Sequence, residues 1–193
     1  MKSQIKVLVF TMAILAVTVP AILGAQEIPG ISEKTNYAVL KLGAFVPKSS
    51  DLDKQNAGNG FTGELGFGYY VNRYFSLEAA FGYFETKGNA ENTNTKFGVI
   101  PLEITGRLGL PMGILEPYLE VGLGGYSVKA EVGPVDKTTI RAGVFGGGGV
   151  NISLGKTFFI GVEARYLALS APSGEVNVDL NGVIVTGNLG FRF

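Results

Sequence analysis

The stretch Val185-Thr186-Gly187-Asn188-Leu189-Gly190-Phe191-Arg192-Phe193 alternates without a break. In an extended chain Val185, Gly187, Leu189, Phe191 and Phe193 share one face, and Thr186, Asn188, Gly190 and Arg192 share the other. In water such an aromatic-rich edge invites aggregation. A closed barrel in lipid removes the edge, because the last strand pairs with the first. The stretch therefore predicts a transmembrane β-barrel with its apolar face outward.

Seven earlier stretches repeat the pattern, and no segment after Ala25 has helical periodicity. The first, 36–46, sets Ala38, Leu40, Leu42, Ala44 and Val46 against Tyr37, Val39, Lys41, Gly43 and Phe45. In 61–71, Leu65, Phe67 and Tyr69 oppose Thr62, Glu64, Gly66 and Tyr70; in 75–84, Leu77, Phe81 and Tyr83 oppose Ser76, Glu78 and Phe84. The fourth, 97–108, sets Ile100, Leu102, Ile104 and Leu108 against Pro101, Glu103, Thr105 and Arg107. The fifth and sixth, 118–128 and 140–152, turn Glu120, Tyr126, Arg141 and Phe145 to the polar face. The seventh, 158–166, turns Phe159, Glu163 and Arg165 the same way. With the C-terminal strand these make an all-β, eight-stranded antiparallel up-and-down meander.

The connections differ in length. Segments 47–60, 86–96, 129–139 and 170–182 read as long polar loops, Asn72-Arg73 and 153–156 as tight turns, and 109–116 as intermediate. Long loops at one end and short turns at the other fit an outer-membrane barrel with its turns in the periplasm. An even strand count puts both strand termini on the turn side.

Residues 1–25 read as a secretory signal: Lys2 and Lys6 precede an apolar run to Val19, and Leu23-Gly24-Ala25 offers a cleavage region. Val19-Pro20-Ala21 is a competing site. The apolar run is shorter than the roughly 20 residues a helical span needs. The mature domain is then 26–193. Losing Lys2 and Lys6 leaves fourteen of the sixteen basic residues against sixteen acidic ones, a charge of −2. That balance offers no basic patch for nucleic acid. There is no Cys, and no His, so the usual nucleophilic triads and imidazole metal sites lose their residue. No cofactor, metal or catalytic site is expected.

A soluble eight-stranded barrel would turn its apolar face inward. Here the more polar face is rich in Gly, Ala, Ser and Thr, which suits the narrow interior of eight strands better than a ring of Phe, Leu and Ile. Ten charges fall on that inner face: Lys41, Glu64, Glu78, Glu103, Arg107, Glu120, Arg141, Glu163, Arg165 and Arg192. Five are acidic and five basic. Equal numbers in a confined space predict a mutually paired network that fills the lumen. Glu103 and Arg107 lie too far apart on one strand to touch, so Arg107 should reach Glu64, Glu78 or Glu120, and Glu103 should reach Arg141 or Lys41. A conducting lumen would carry an excess of one sign and fewer large aromatics than Tyr70, Phe84, Tyr126, Phe145 and Phe159.

Three other motifs carry less. Gly146-Gly147-Gly148-Gly149 lacks the Lys-Ser/Thr of a phosphate loop and reads as a kink or close strand packing. Pro101 cannot donate to a ladder and predicts a local bulge. Glu103 and Glu120 read as ion-pair members rather than as a glycosidase pair.

The signal, the run Tyr69-Tyr70-Val71-Asn72-Arg73-Tyr74-Phe75-Ser76-Leu77-Glu78, the Pro101-Leu102 strand and the ending Gly190-Phe191-Arg192-Phe193 together resemble the small eight-stranded outer-membrane barrels, including opacity-protein and outer-membrane-protein-A-like barrel domains. The resemblance implies a Gram-negative outer membrane, contact with its lipid, and passage through periplasmic chaperones and the barrel assembly machinery. It assigns Leu189, Phe191 and Phe193 to the assembly signal. Peptidoglycan anchoring is not expected after Phe193, and the lipid A deacylase and palmitoyltransferase barrels use a His that is missing here. The expectation is a monomeric, non-enzymatic barrel with a plugged polar lumen and a structural or surface-interaction role. The alternative is a weak channel or carrier for small solutes. The sequence names no surface ligand.

Overall fold

A computed structural model of the chain describes residues 34–48, 58–90, 93–132, 135–169 and 180–193. The expected signal and its cleavage near Gln26 lie outside the described residues, as do most of 47–60 and 170–182. Eight strands run in order: β1 (Asn36–Pro47), β2 (Gly60–Tyr70), β3 (Phe75–Ala90), β4 (Thr93–Gly109), β5 (Leu115–Val132), β6 (Val135–Leu154), β7 (Phe158–Leu169) and β8 (Gly182–Arg192). Each pairs antiparallel with the next, and β8 returns to β1 to close the barrel. The closing ladder runs from Tyr37 opposite Arg192 to Pro47 opposite Gly182. Beyond it, Asn36 and Phe193 exchange both backbone bonds at 3.0 Å.

The alternation read from the sequence is the alternation of the wall. Leu65, Phe67, Ile104, Leu123, Val162 and Leu189 face out and are exposed, while Glu64, Glu103, Thr105, Glu163 and Asn188 beside them are buried. Exposed aromatics gather in two bands. Tyr69, Tyr74, Phe158 and Phe193 mark the short-turn end, and Tyr83 and Tyr166 the opposite end. The short turns are locally determined. Asn72 accepts backbone N–H bonds from Tyr74 and Phe75 through its side-chain oxygen, at 2.8 and 2.9 Å. Gly155 supplies a φ of 78° in the β6–β7 turn.

Two expected loops are mostly strand. β3 and β4 stay paired out to Ala90 opposite Thr93, and β5 and β6 out to Val132 opposite Val135. Above the lipid both faces of a strand meet water, so the apolar alternation that marks a strand in sequence fades there. Among the described residues the wall is therefore taller on the β3–β6 side of the barrel. β6 runs on to Val135 past the point where Gly143 pairs with Leu169, the last described residue of β7.

Pro101 makes no bulge. The β3–β4 ladder lapses after Phe81 opposite Leu102 and resumes at Phe84 opposite Val99 in the same register. The missing N–H interrupts the pairing without inserting a residue. The four glycines 146–149 are ordinary strand residues of β6.

Candidate functional site

Bulky lumen side chains need space, and glycines opposite them provide it. Tyr37 lies over Gly68, Phe159 over Gly190 and Phe145 over Gly122, each directly across a ladder. A β-carbon at any of these glycines would overlap the facing ring. Gly149 makes room for Tyr118 in the same way, with its missing β-carbon 2.6 Å from the phenol oxygen. The tetraglycine run is thus partly a seat for Tyr118.

The buried side chains that face inward fall into two apolar clusters and a set of charged residues. At the loop end Phe45, Phe84, Val99, Tyr126, Phe145, Leu167 and Ile184 pack in one buried apolar cluster. At the turn end Tyr37, Val39, Tyr70 and Phe159 form a second. The charged residues lie between and around these clusters.

The central group is built on Arg107. Its guanidinium reaches Glu78 at 2.8 Å, Glu120 at 2.9 Å and Glu163 at 3.0 Å. Lys41, from β1 across the lumen, shares two of those carboxylates, Glu78 at 2.9 Å and Glu163 at 3.2 Å. Tyr37 donates its hydroxyl to Glu78 at 2.9 Å, and Tyr118 donates to Glu163 at 2.8 Å. A second group is centred on Arg165, which pairs with Glu64 and, at 2.8 Å, with Glu103. Tyr126 donates to the other oxygen of Glu103 at 2.7 Å. Charged partners from β1, β2, β3, β4, β5 and β7 therefore meet at the barrel axis.

Barrel closure selects partners that strand spacing alone leaves open. Arg107 takes Glu78 and Glu120 from the carboxylates within its expected reach and adds Glu163, while Glu64 goes to Arg165. Glu103, for which the sequence offers Arg141 or Lys41, receives Arg165. The reason is β7: its Glu163 and Arg165 extend inward across the axis, a distance that alternation along single strands does not encode. Arg141 is buried nearer the loop end and also has a partner.

One lumen carboxylate escapes the sequence reading. Glu116 falls in the stretch read as a connection, yet it lies in β5 and is buried. It accepts bonds from the Tyr70 hydroxyl at 3.1 Å and from the Asn151 amide at 3.0 Å, with Arg192 at 3.8 Å. Counting back by twos from Tyr118 through Pro117 would have placed it on the inner face. With Glu116, six inward carboxylates face five inward cations among the described residues.

Inside the described lumen, three guanidinium groups also lie over rings: Arg107 over Tyr118 at 4.9 Å, Arg165 over Phe145 at 4.7 Å and Arg192 over Phe159 at 4.6 Å. Such contacts hold a planar cation by its face while its edge is hydrogen-bonded. Among the described residues no group of carboxylate side chains is arranged to hold a metal ion.

A closed antiparallel barrel with a belt of exposed apolar side chains around a buried, charged interior defines a transmembrane β-barrel. The chain belongs to the outer membrane protein β-barrel domain family, whose model matches residues 11–193. It is accordingly a protein of a Gram-negative outer membrane. No curated protein matches the sequence closely enough to count as a relative. Solved structures share the fold. Neisserial surface protein A aligns at 20% identity with a TM-score of 0.59, covering 83% of this chain and 98% of its own. The outer membrane protein OprG of Pseudomonas aeruginosa aligns at 13% identity with a TM-score of 0.66, covering 86% and 99%. Ail, the attachment invasion locus protein of Yersinia pestis, aligns at 13% identity with a TM-score of 0.55, covering 84% and 100%.

Proposed function

We propose that this barrel has a structural or surface-interaction role, with a plugged lumen and no enzymatic activity. The observation that carries the reading is the central ion-pair group, in which Lys41, Glu78, Arg107, Glu120 and Glu163 are all buried and mutually bonded across the axis. An ion crossing that layer would have to separate paired charges in a confined, poorly hydrated space. The apolar cluster at the loop end adds a barrier of a different kind, because it offers a passing ion no polar ligand. The surface role is supported by the taller β3–β6 wall. From Gly143 to Val135, at about 3.3 Å per residue, β6 extends on the order of 25 Å beyond its described pairing with β7.

The remaining expectations belong to the same proposal. Residues 1–25 act as the export signal, and Leu189, Phe191 and Phe193 on the lipid face are what the assembly machinery recognises. The folded barrel is a monomer. Planar-bilayer recording tests the lumen directly. The plugged barrel is expected to pass no steady ionic current at either polarity, and sustained unitary steps would replace this reading with a channel.

A further inference from the structure

The three short connections at the turn end of the barrel differ in character. The β2–β3 turn exposes Arg73 and the β6–β7 turn exposes Lys156, as surface turns normally expose polar groups. The β4–β5 turn lies between them in the order of the ring and does the opposite. From Leu108 to Leu115 the chain reads Leu-Gly-Leu-Pro-Met-Gly-Ile-Leu, without a polar side chain. Ile114 at the tip is 57% exposed, and Leu115 and Leu154 are exposed as well.

This tip is held rigidly. Met112 and Leu115 exchange both backbone bonds, at 2.8 and 3.2 Å, and Gly113 has a φ of 68°. That is a two-residue hairpin loop with glycine at its first central position. The Ile114 carbonyl also accepts the Ser153 N–H at 2.8 Å, which ties the loop sideways to β6 beside Leu154. The loop therefore cannot fold its isoleucine away, and in water that apolar surface is unfavourable.

The same surface is continuous with the lipid-facing belt. Leu115 lies opposite Ile152 and shares its face of β5 with Leu119, which lies opposite Leu108. Leu119 and Leu108 are exposed members of the belt. How deep the tip can go is limited by its backbone. The hairpin's pair of bonds does not use the N–H groups of Gly113 and Ile114, and hydrocarbon has no acceptor for them. Lipid ester oxygens do.

We propose that the β4–β5 turn is a fixed apolar foot immersed in the periplasmic leaflet. Its partner is the glycerol–ester and upper acyl region of the phospholipid, while Arg73 and Lys156 on the flanking turns stay at headgroup level. The inference rests on the outer-membrane placement with the turns toward the periplasm, and is independent of whether the lumen conducts. The foot sets the depth of one side of the rim and so couples the tilt of the barrel to leaflet thickness.

The chain has neither Cys nor Trp, so a single introduced probe reads one position. Ile114→Cys, Arg73→Cys and Lys156→Cys are refolded in vesicles of phosphatidylethanolamine and phosphatidylglycerol. A charged, membrane-impermeant maleimide is supplied on both sides, and each rate is normalised to the same chain unfolded in urea. The Ile114→Cys barrel should react roughly tenfold or more slowly than the other two, because the thiolate is the nucleophile and apolar surroundings suppress it. As a second readout, Ile114→Trp should be quenched by lipids brominated on the upper acyl chain more strongly than Lys156→Trp. If Ile114→Cys does not refold, Met112→Cys on the same turn is read and should be protected likewise. Equal normalised rates at the three turns, or equal quenching of the two tryptophan variants, would overturn the proposal. So would fast labelling of Ile114→Cys in lipid vesicles together with protection in native outer membranes, the pattern of a turn covered by another protein.

Discussion

At the scale of single residues, Arg107 shows how burial turns charge into a structural liability once a partner is lost. Three carboxylates, Glu78, Glu120 and Glu163, converge on its guanidinium, and Lys41 contacts only two of them. Arg107→Ala leaves Glu120 without its ion-pair partner and weakens the charge balance around the other two. The expected cost is about 3–5 kcal/mol, the range for stranding a buried charge. Leu102→Ala removes a side chain that is 67% exposed on the outer face, where lipid fills the space, and should cost less. Urea titration of barrels refolded in detergent should place the Arg107→Ala midpoint clearly below that of Leu102→Ala. Coincident midpoints for Arg107→Ala and the parent would remove the network from the stability account. Which residues face inward was legible from period-two alternation. Which inward residues touch was not, because Arg165 finds Glu103 across the axis through the closure of the whole ring. Glu116 was hidden for a different reason: Pro117 after it, and Gly109, Pro111 and Gly113 before it, look like a connection.

At the scale of elements, the wall is held to its diameter by aromatic side chains opposite glycine. Gly68→Ala would drive a methyl group into the Tyr37 ring. Tyr37 cannot simply move aside, since its hydroxyl is bonded to Glu78 and its ring packs on Tyr70 at 5.2 Å. Gly68→Ala should cost about 1–3 kcal/mol, the usual range for overpacking. Gly125 faces outward, and a methyl group placed there would meet nothing within 4 Å, so Gly125→Ala should leave the urea midpoint near that of the parent. Equal midpoints for the two variants would refute the steric role. Strand boundaries were legible only where lipid and lumen impose opposite polarities on the two faces. The runs around Thr86-Lys87-Gly88-Asn89-Ala90 and Thr93-Asn94-Thr95-Lys96 are polar on both faces, so they read as loop although their backbones remain paired. Pro101 was legible as a break in hydrogen bonding, but whether such a break shifts register is decided by the neighbouring strand, and here the register holds.

At the scale of the whole molecule, the ring has no privileged first strand. The β1–β8 seam is a ladder like the others, and Asn36 and Phe193 are hydrogen-bonded neighbours on the same rim as the three short turns. Chain order and spatial order can therefore be uncoupled. A circular permutant opened between Met112 and Gly113, with Phe193 joined to Lys34 by a short flexible linker, retains every strand and cuts only an exposed turn. It should refold in detergent to a heat-modifiable barrel with the parent's electrophoretic shift, and a permutant that stays unfolded would show that the seam is special. If Leu189, Phe191 and Phe193 form the assembly signal proposed above, the same permutant should assemble poorly in cells, because they then lie in mid-sequence, and parental levels of heat-modifiable barrel would refute that role. On that proposal the seam separates two kinds of information carried by one strand: a geometry that is indifferent to where the polypeptide is cut, and an address that depends on it.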